Sequence, residues 1–349
     1  MACPFPKKMF PFSKAFRMFA GRTIFFECLL CAFLFAESPV DDFGFRKIYP
    51  TKEGTVSWNS SHWANGFGRS VEWDGDPYDP LGWTESHSSG TGSFDIDGEG
   101  SMQMNWNDGP RFHLNSLNGS ATQFFLNAEL TAYFMRDASG GKNYGGMVVG
   151  MRSGPLGHGS NGGDDCDATT YYARFRNDGK WDFEKEWKHP DSYYRTDSGV
   201  GRQDALWGGS PLPIGKWIGM KYLVYNKDSA TVRLELYIDS TSNATPPGNW
   251  EPVGVVEDAG ADFRGASGPT ISGCSHSDAY AAILRGGGTV LFRSDGDHPF
   301  YKFVTLREID VGAPPFGESS AVRRLPVRGF GKIAPAGKFD LLGRSVNGK

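Results

Sequence analysis

From residue 37 onward, apolar side chains keep recurring at every second position, in short runs bounded by Gly, Asn, Asp and Ser. The runs are Phe124–Arg136, Tyr144–Arg152, Thr169–Arg176, Trp181–Lys188, Trp217–Asn226, Thr231–Asp239, Thr289–Arg293 and Tyr301–Asp310. Alternation places every second side chain on the same face of an extended chain, so such a run buries one face and wets the other. No stretch shows the 3.6-residue period of an amphipathic helix. Gly92–Ile96 and Ser101–Trp106 also read as strands, whereas the rest of 51–118, rich in Trp, Gly and Asp, reads as long ordered loops. About ten short strands in one stretch predict an all-β fold, a two-sheet antiparallel β-sandwich of the jelly-roll type.

The two ends depart from this pattern. Lys7, Lys8, Lys14, Arg17 and Arg22 precede the apolar run Thr23–Ala36, which is short for a bilayer span and is interrupted by Glu27. A basic segment, a short apolar core and a small residue at its end form a secretory signal, expected to be cleaved after Ala36. The domains are then a signal peptide over 1–36, the β domain over 37–313, and a linker with a basic tail over 314–349. No membrane span is expected once the signal is removed, and the protein is expected to be secreted or held at the cell surface.

Charge and cysteine usage follow this division. The whole chain carries −4; residues 1–36 contribute +4 and residues 316–349 contribute +5, which leaves 37–315 at −13. So acidic a body argues against nucleic acid as a partner, since that needs a basic surface. Cys3, Cys28 and Cys31 leave with the signal; Cys166 and Cys274 remain and are expected to pair in an oxidising compartment.

The hairpin from Tyr171 to His189 carries most of the chemistry. Asn177-Asp178-Gly179 suits a three-residue loop with a bulged glycine. That register sets Phe175 opposite Trp181, Ala173 opposite Phe183 and Tyr171 opposite Lys185. The other face then carries Tyr172 opposite Glu184 and Arg174 opposite Asp182, with Arg176, Glu186 and Lys188 beside them. A two-residue loop would mix apolar and charged residues on both faces.

Three chemistries fit that polar face. Asp182, Glu184 and Glu186 alternate, about 6.5–7 Å apart, near the carboxyl spacing of inverting glycosidases. This is similar to the acid strand of laminarinase- and lichenase-type jelly-roll hydrolases, although the Glu-x-Asp-x-x-Glu order is absent. Elimination from a uronic acid needs a group that neutralises the carboxylate, a base for the C5 proton and an acid for the leaving oxygen. Tyr172, Arg174, Arg176 and His189 offer such a set, with Glu184 and Glu186. The third reading is a non-catalytic carbohydrate-binding or adhesion module built on Trp-rich loops. Tyr171–Arg176, Trp217–Asn226 and Arg307-Glu308-Ile309 together resemble secreted concanavalin-like jelly rolls, polysaccharide lyases among them. The resemblance implies a polysaccharide partner, bound in a groove that Glu129, Tyr133, Arg152 and Lys188 would extend. The basic end, with Phe339-Asp340-Leu341-Leu342-Gly343-Arg344, resembles tails of secreted fibre-degrading enzymes and implies surface attachment.

No cofactor is required by these chemistries. The seven His form no zinc pattern. Asp164, Asp165 and Asp167, in a glycine-rich loop, are candidate ligands for a structural Ca²⁺.

Overall fold

The computed structural model describes residues 37–55, 57–71, 75–80, 92–106, 111–115, 125–137, 141–153, 169–188, 191–195, 205–260, 262–264, 280–285 and 289–317. Met1–Ser38 and Pro39–Lys349 are separate compact units, and the fold belongs to the second. The expected signal and basic tail lie outside the described residues, as do His189, Asp164, Asp165, Asp167, Cys166 and Cys274.

The fold is a sandwich of two antiparallel sheets. Nine strands form one sheet: β1 (Trp58–Asn59), β2 (Arg69–Val71), β3 (Gly92–Ile96), β4 (Ser101–Trp106), β6 (Ala128–Met135), β11 (Ile218–Asn226), β12 (Val232–Asp239), β13 (Glu251–Asp258) and β16 (Phe300–Glu308). Their order is β13-β12-β11-β6-β16-β4-β3-β2, with β1 also on β16. The second sheet has the order β14-β10-β9-β8-β7-β15-β5. It comprises β5 (Arg111–Asn115), β7 (Gly146–Ser153), β8 (Thr170–Arg176), β9 (Trp181–Lys188), β10 (Asp191–Arg195), β14 (Phe263–Arg264) and β15 (Thr289–Arg293). The last two long strands thus sit inside the sheets, β16 between β6 and β4 and β15 between β7 and β5. The alternating runs became strands with ends shifted by a few residues at most, and β5, β10 and β13 emerged where no run was evident. A short 3₁₀ turn (Ser60–Ala64) is the one helical element among the described residues.

The core follows from alternation. Met147, Val149 and Met151, then Tyr171, Ala173 and Phe175, then Trp181 and Phe183 point inward from the seven-stranded sheet. Leu130, Ala132, Phe134, Met220, Tyr222, Leu234 and Leu236 meet them from the other. In β16 the inward set changes parity, from Tyr301 to Val304 and Leu306. A register shift between Lys302 and Thr305, with Phe303 at φ 51°, inserts the extra residue that keeps all three inside.

One charged group crosses this core. Lys185 lies on the apolar face of β9, as its place opposite Tyr171 requires. Its ammonium donates to Asp258 Oδ2 on the opposing sheet (2.8 Å) and to the Tyr280 and Ala281 carbonyls (3.0 and 2.9 Å). Tyr171 donates its hydroxyl to the same carboxylate oxygen at 2.6 Å. Charge pairing and full hydrogen bonding make this burial tolerable.

At the other side of the nine-stranded sheet, His62 packs edge-on against Trp58 and Trp63. Burial pushes its imidazole down to about 4, against the pull of Asp76 and with the help of Arg69. Its Nε2 lies 3.5 Å from Asp76 Oδ2 and 4.0 Å from Asp79 Oδ2. Neutral His62 therefore contributes stability that is complete above its unfolded value near 6.5 and is lost as pH falls toward 4. At about 1.4 kcal/mol per pH unit the loss reaches roughly 3 kcal/mol. Urea titrations of the wild type between pH 7 and 4 are expected to show this slope, and His62→Phe is expected to flatten it.

Candidate functional site

The β8–β9 hairpin forms in the expected register: Phe175 pairs with Trp181, Ala173 with Phe183, Tyr171 with Lys185, Tyr172 with Glu184 and Arg174 with Asp182. Gly179, at φ 80°, takes the bulged position. The polar face therefore points away from the core. Cross-strand pairing extends it over five strands. One row reads Arg111–Arg293–Val148–Arg174–Asp182, and the next reads His113–Leu291–Gly150–Tyr172–Glu184.

Gly150 is what admits the tyrosine. A Cβ there would lie 2.6 Å from Thr170 Cγ2, 2.9 Å from Tyr172 Cε1 and 3.0 Å from Leu291 Cγ. The ring occupies the space that a side chain would need. Tyr172 donates its hydroxyl to Glu186 Oε2 at 3.0 Å. Burial raises its phenol well above the usual value, the Glu186 charge adds to this, and Arg111 and Arg293 oppose it. Tyr172 is thus held as a protonated phenol.

Arg174 and Arg176 are committed elsewhere. Arg174 grips Asp182 with Nε and Nη2 (2.5 and 2.9 Å) and reaches Glu184 with Nη1 (2.5 Å). Arg176 clamps Asp178 (2.7 and 3.0 Å) and touches Asp182 at 3.2 Å. Two cations and three carboxylates form one buried knot. Neither arginine is a spare donor for a substrate carboxylate, and Asp182 and Glu184 already serve as counter-ions.

Two other arginines emerge instead. Arg111 and Arg293 are directly paired across β5 and β15. Burial lowers the Arg111 guanidinium, and the charge of Arg293 lowers it further. Burial opposes the charge of Arg293 too, but Asp295 and Glu184 hold it above its ordinary value. Arg293 bonds Asp295 Oδ1 at 2.8 Å. With fully buried His113 they complete the face. The alternation Arg111-Phe112-His113-Leu114 signals this strand, but it lies in the Trp- and Gly-rich segment that reads as loop.

The other expected site residues sit apart. Glu129 and Tyr133 lie on the outer face of the opposite sheet, under the segment 39–51. Glu129 accepts from the Ile48 N–H (3.1 Å) and Lys221 Nζ (3.0 Å), and it forms an ion pair with Arg307 Nη2 (2.5 Å). Burial would raise its carboxyl, but Arg307 and Lys221 hold it below the usual range. Tyr133 donates to Asp239 Oδ2 at 2.6 Å and packs on Phe45. They therefore do not extend the face of Tyr172.

Arg152 leaves that face as well. The register shift between β7 and β15, with Arg152 at φ 58°, breaks the alternation. Its guanidinium donates to the Leu126 carbonyl (2.7 Å), the Ile283 carbonyl (2.7 Å) and Asn226 Oδ1 (2.7 Å). These bonds offset the strain of a left-handed non-glycine residue. Lys188 stays half-buried at the end of β9. Among the described residues no three His, Cys, Asp or Glu side chains are placed to hold a metal ion, and no helix is long and apolar enough to cross a membrane.

No family model and no curated protein sequence matches the chain. Solved structures align with it at low identity. The Ca²⁺-bound exoplasmic/lumenal domain of VIP36 is 12% identical and has a TM-score of 0.35; the match covers 69% of this chain and 90% of that one. The alginate lyase Aly36B is also 12% identical, with a TM-score of 0.29, covering 69% and 97%. An endo-β-1,4-glucuronan lyase from the fungus Trichoderma reesei is 11% identical, with a TM-score of 0.31, covering 70% and 98%. Superpositions this loose carry no argument about chemistry; the fold assignment rests on the two sheets themselves.

Arg174→Met removes a cation from between two buried carboxylates. It is expected to cost about 3–5 kcal/mol in urea unfolding, as for a broken buried ion pair. Arg111→Lys keeps the charge and is expected to change stability by less than about 1 kcal/mol.

Proposed function

We propose that the chain is a carbohydrate-active protein that works on the polar face of the seven-stranded sheet, by β-elimination on a uronic-acid-containing polysaccharide. The direct opposition of Arg111 and Arg293 beside the Tyr172–Glu186 pair carries this reading. Arg293 already bonds Asp295, and the charges of Glu186 and Asp295 act on Arg111, so an anionic substrate group would join these carboxylates as a further partner of the arginine pair. A uronate carboxylate is such an anion. In the reaction a base takes the C5 proton, the electrons form the C4–C5 double bond, and the C4–O bond breaks. Tyr172, held protonated, serves as the acid for the leaving oxygen. His113 is the candidate base. Arg111, His113 and Tyr172 are all buried.

Hydrolysis ranks second, because Asp182 and Glu184 already neutralise arginines. Binding without catalysis is the reading from a different class. The purified chain is to be incubated with a polysaccharide panel while ultraviolet absorbance of the unsaturated product and new reducing ends are followed. Elimination gives both signals, hydrolysis only reducing ends, and retention on a polysaccharide gel with neither signal would remove the enzyme reading. Tyr172→Phe is expected to lower elimination by about 10²–10⁴-fold.

Export is part of the same proposal, with residues 1–36 as the signal and the basic end as a surface address. Intact-mass measurement of the secreted chain is expected to place its first residue near Glu37. A retained Met1 would rule out cleavage.

A further inference from the structure

A second constellation lies where three segments meet: 141–145 before β7, 177–180 in the β8–β9 turn, and 294–299 between β15 and β16. Backbone bonds lock them together, Lys142 N–H to the Asp295 carbonyl (2.9 Å) and Asn177 N–H to the Gly145 carbonyl (2.8 Å). Asp295 and Asp297 enter this junction. Asp295 gives Oδ1 to Arg293, while Asp297 Oδ1 accepts the Asp295 N–H at 3.2 Å. The second oxygen of each carboxylate is buried and has no hydrogen-bond partner.

An observation independent of the two acids points the same way. Tyr301 is fully buried, and its hydroxyl has no hydrogen-bond partner. The charges of Asp297 and Asp295 both act on that phenol. Asn177 donates Nδ2 to the Lys142 carbonyl (3.0 Å) and so ties the β8–β9 turn to the junction. Glycines line the junction: a Cβ on Gly141 or Gly145 would lie 2.7 or 3.1 Å from Asp297 Oδ1. An all-oxygen, anionic, buried cluster without sulfur or imidazole suits a hard cation.

We propose that this junction is a calcium site, with Asp295 Oδ2 and Asp297 Oδ2 as ligands and the Tyr301 hydroxyl bonded to a coordinated water. Two carboxylates supply the charge, and loop carbonyls and water complete the shell. Because Asp295 uses its other oxygen on Arg293, a bound ion also steadies the arginine that faces Arg111. The site does not depend on the polysaccharide reading.

The test follows the melting temperature of the chelator-treated chain as calcium chloride is added, with magnesium chloride as the comparison. Calcium at a hundredfold excess over its Kd is expected to raise the wild-type value by about 5–10 °C. Magnesium, which demands near-ideal octahedral geometry, is expected to give less. Asp297→Asn removes a buried like charge, so its calcium-free melting temperature is expected to match or exceed that of the wild type, with the calcium-dependent rise gone. Asp295→Asn serves as the second variant, with affinity reduced at least about tenfold. No calcium-dependent rise in the wild type, or an undiminished rise in both variants, overturns the site.

Discussion

A slip of one residue between β8 and β9 would turn one of the two strands over, setting either Phe175 or Trp181 and Phe183 outward and driving the charged residues of that same strand into the core. The site depends on that slip not occurring. Burying these aromatic side chains favours the observed register by several kcal/mol at about 25 cal/mol per Å² of apolar surface. The bulged loop at Asn177–Gly179 closes the hairpin in that register and no other. The face carrying Tyr172 is thus a by-product of core packing, and its polar residues were free to take any chemistry.

They took a strongly coupled form. The knot of Arg174 and Arg176 with Asp178, Asp182 and Glu184 pairs each cation with two carboxylates, which is how so much charge stays buried. Beside it, Arg111 and Arg293 face each other across β5 and β15, and the Tyr172 phenol bonds Glu186 on the same sheet. Asp295 and Glu184 hold the charge of Arg293, so the two halves of the face are joined by shared carboxylates. The opposite sheet shows the same economy around Glu129, where Lys221 and Arg307 meet one carboxylate under the segment 39–51.

Strands were legible wherever period-two patterning met a turn signal. The hairpin register was legible too, because only one register separates Phe175 and Trp181 from Arg174 and Asp182. Which sheet each strand joins was not, since alternation says nothing about partners. Glu129 and Tyr172 look alike in sequence yet lie on opposite sides of the sandwich. Arg152 was misplaced because a bulge breaks parity, and no residue pattern announces a left-handed arginine. Arg111 and His113 were missed because their short strand is embedded among loops. The ion pairs that occupy Arg174 and Arg176 follow from distances that no linear spacing contains.

The order of strands within the sheets bears on when the molecule can form. Neither sheet closes without the last long strands: β15 joins β5 to β7, and β16 joins β4 to β6. A ribosome or translocation pore that has released only the first two hundred and eighty or so residues has released two half-sheets with open edges. Folding of the sandwich is therefore necessarily late, and it pairs residues far apart in sequence, the regime in which chains fold slowly. For a chain proposed to cross a membrane, this ordering keeps it threadable until its final strands have passed through.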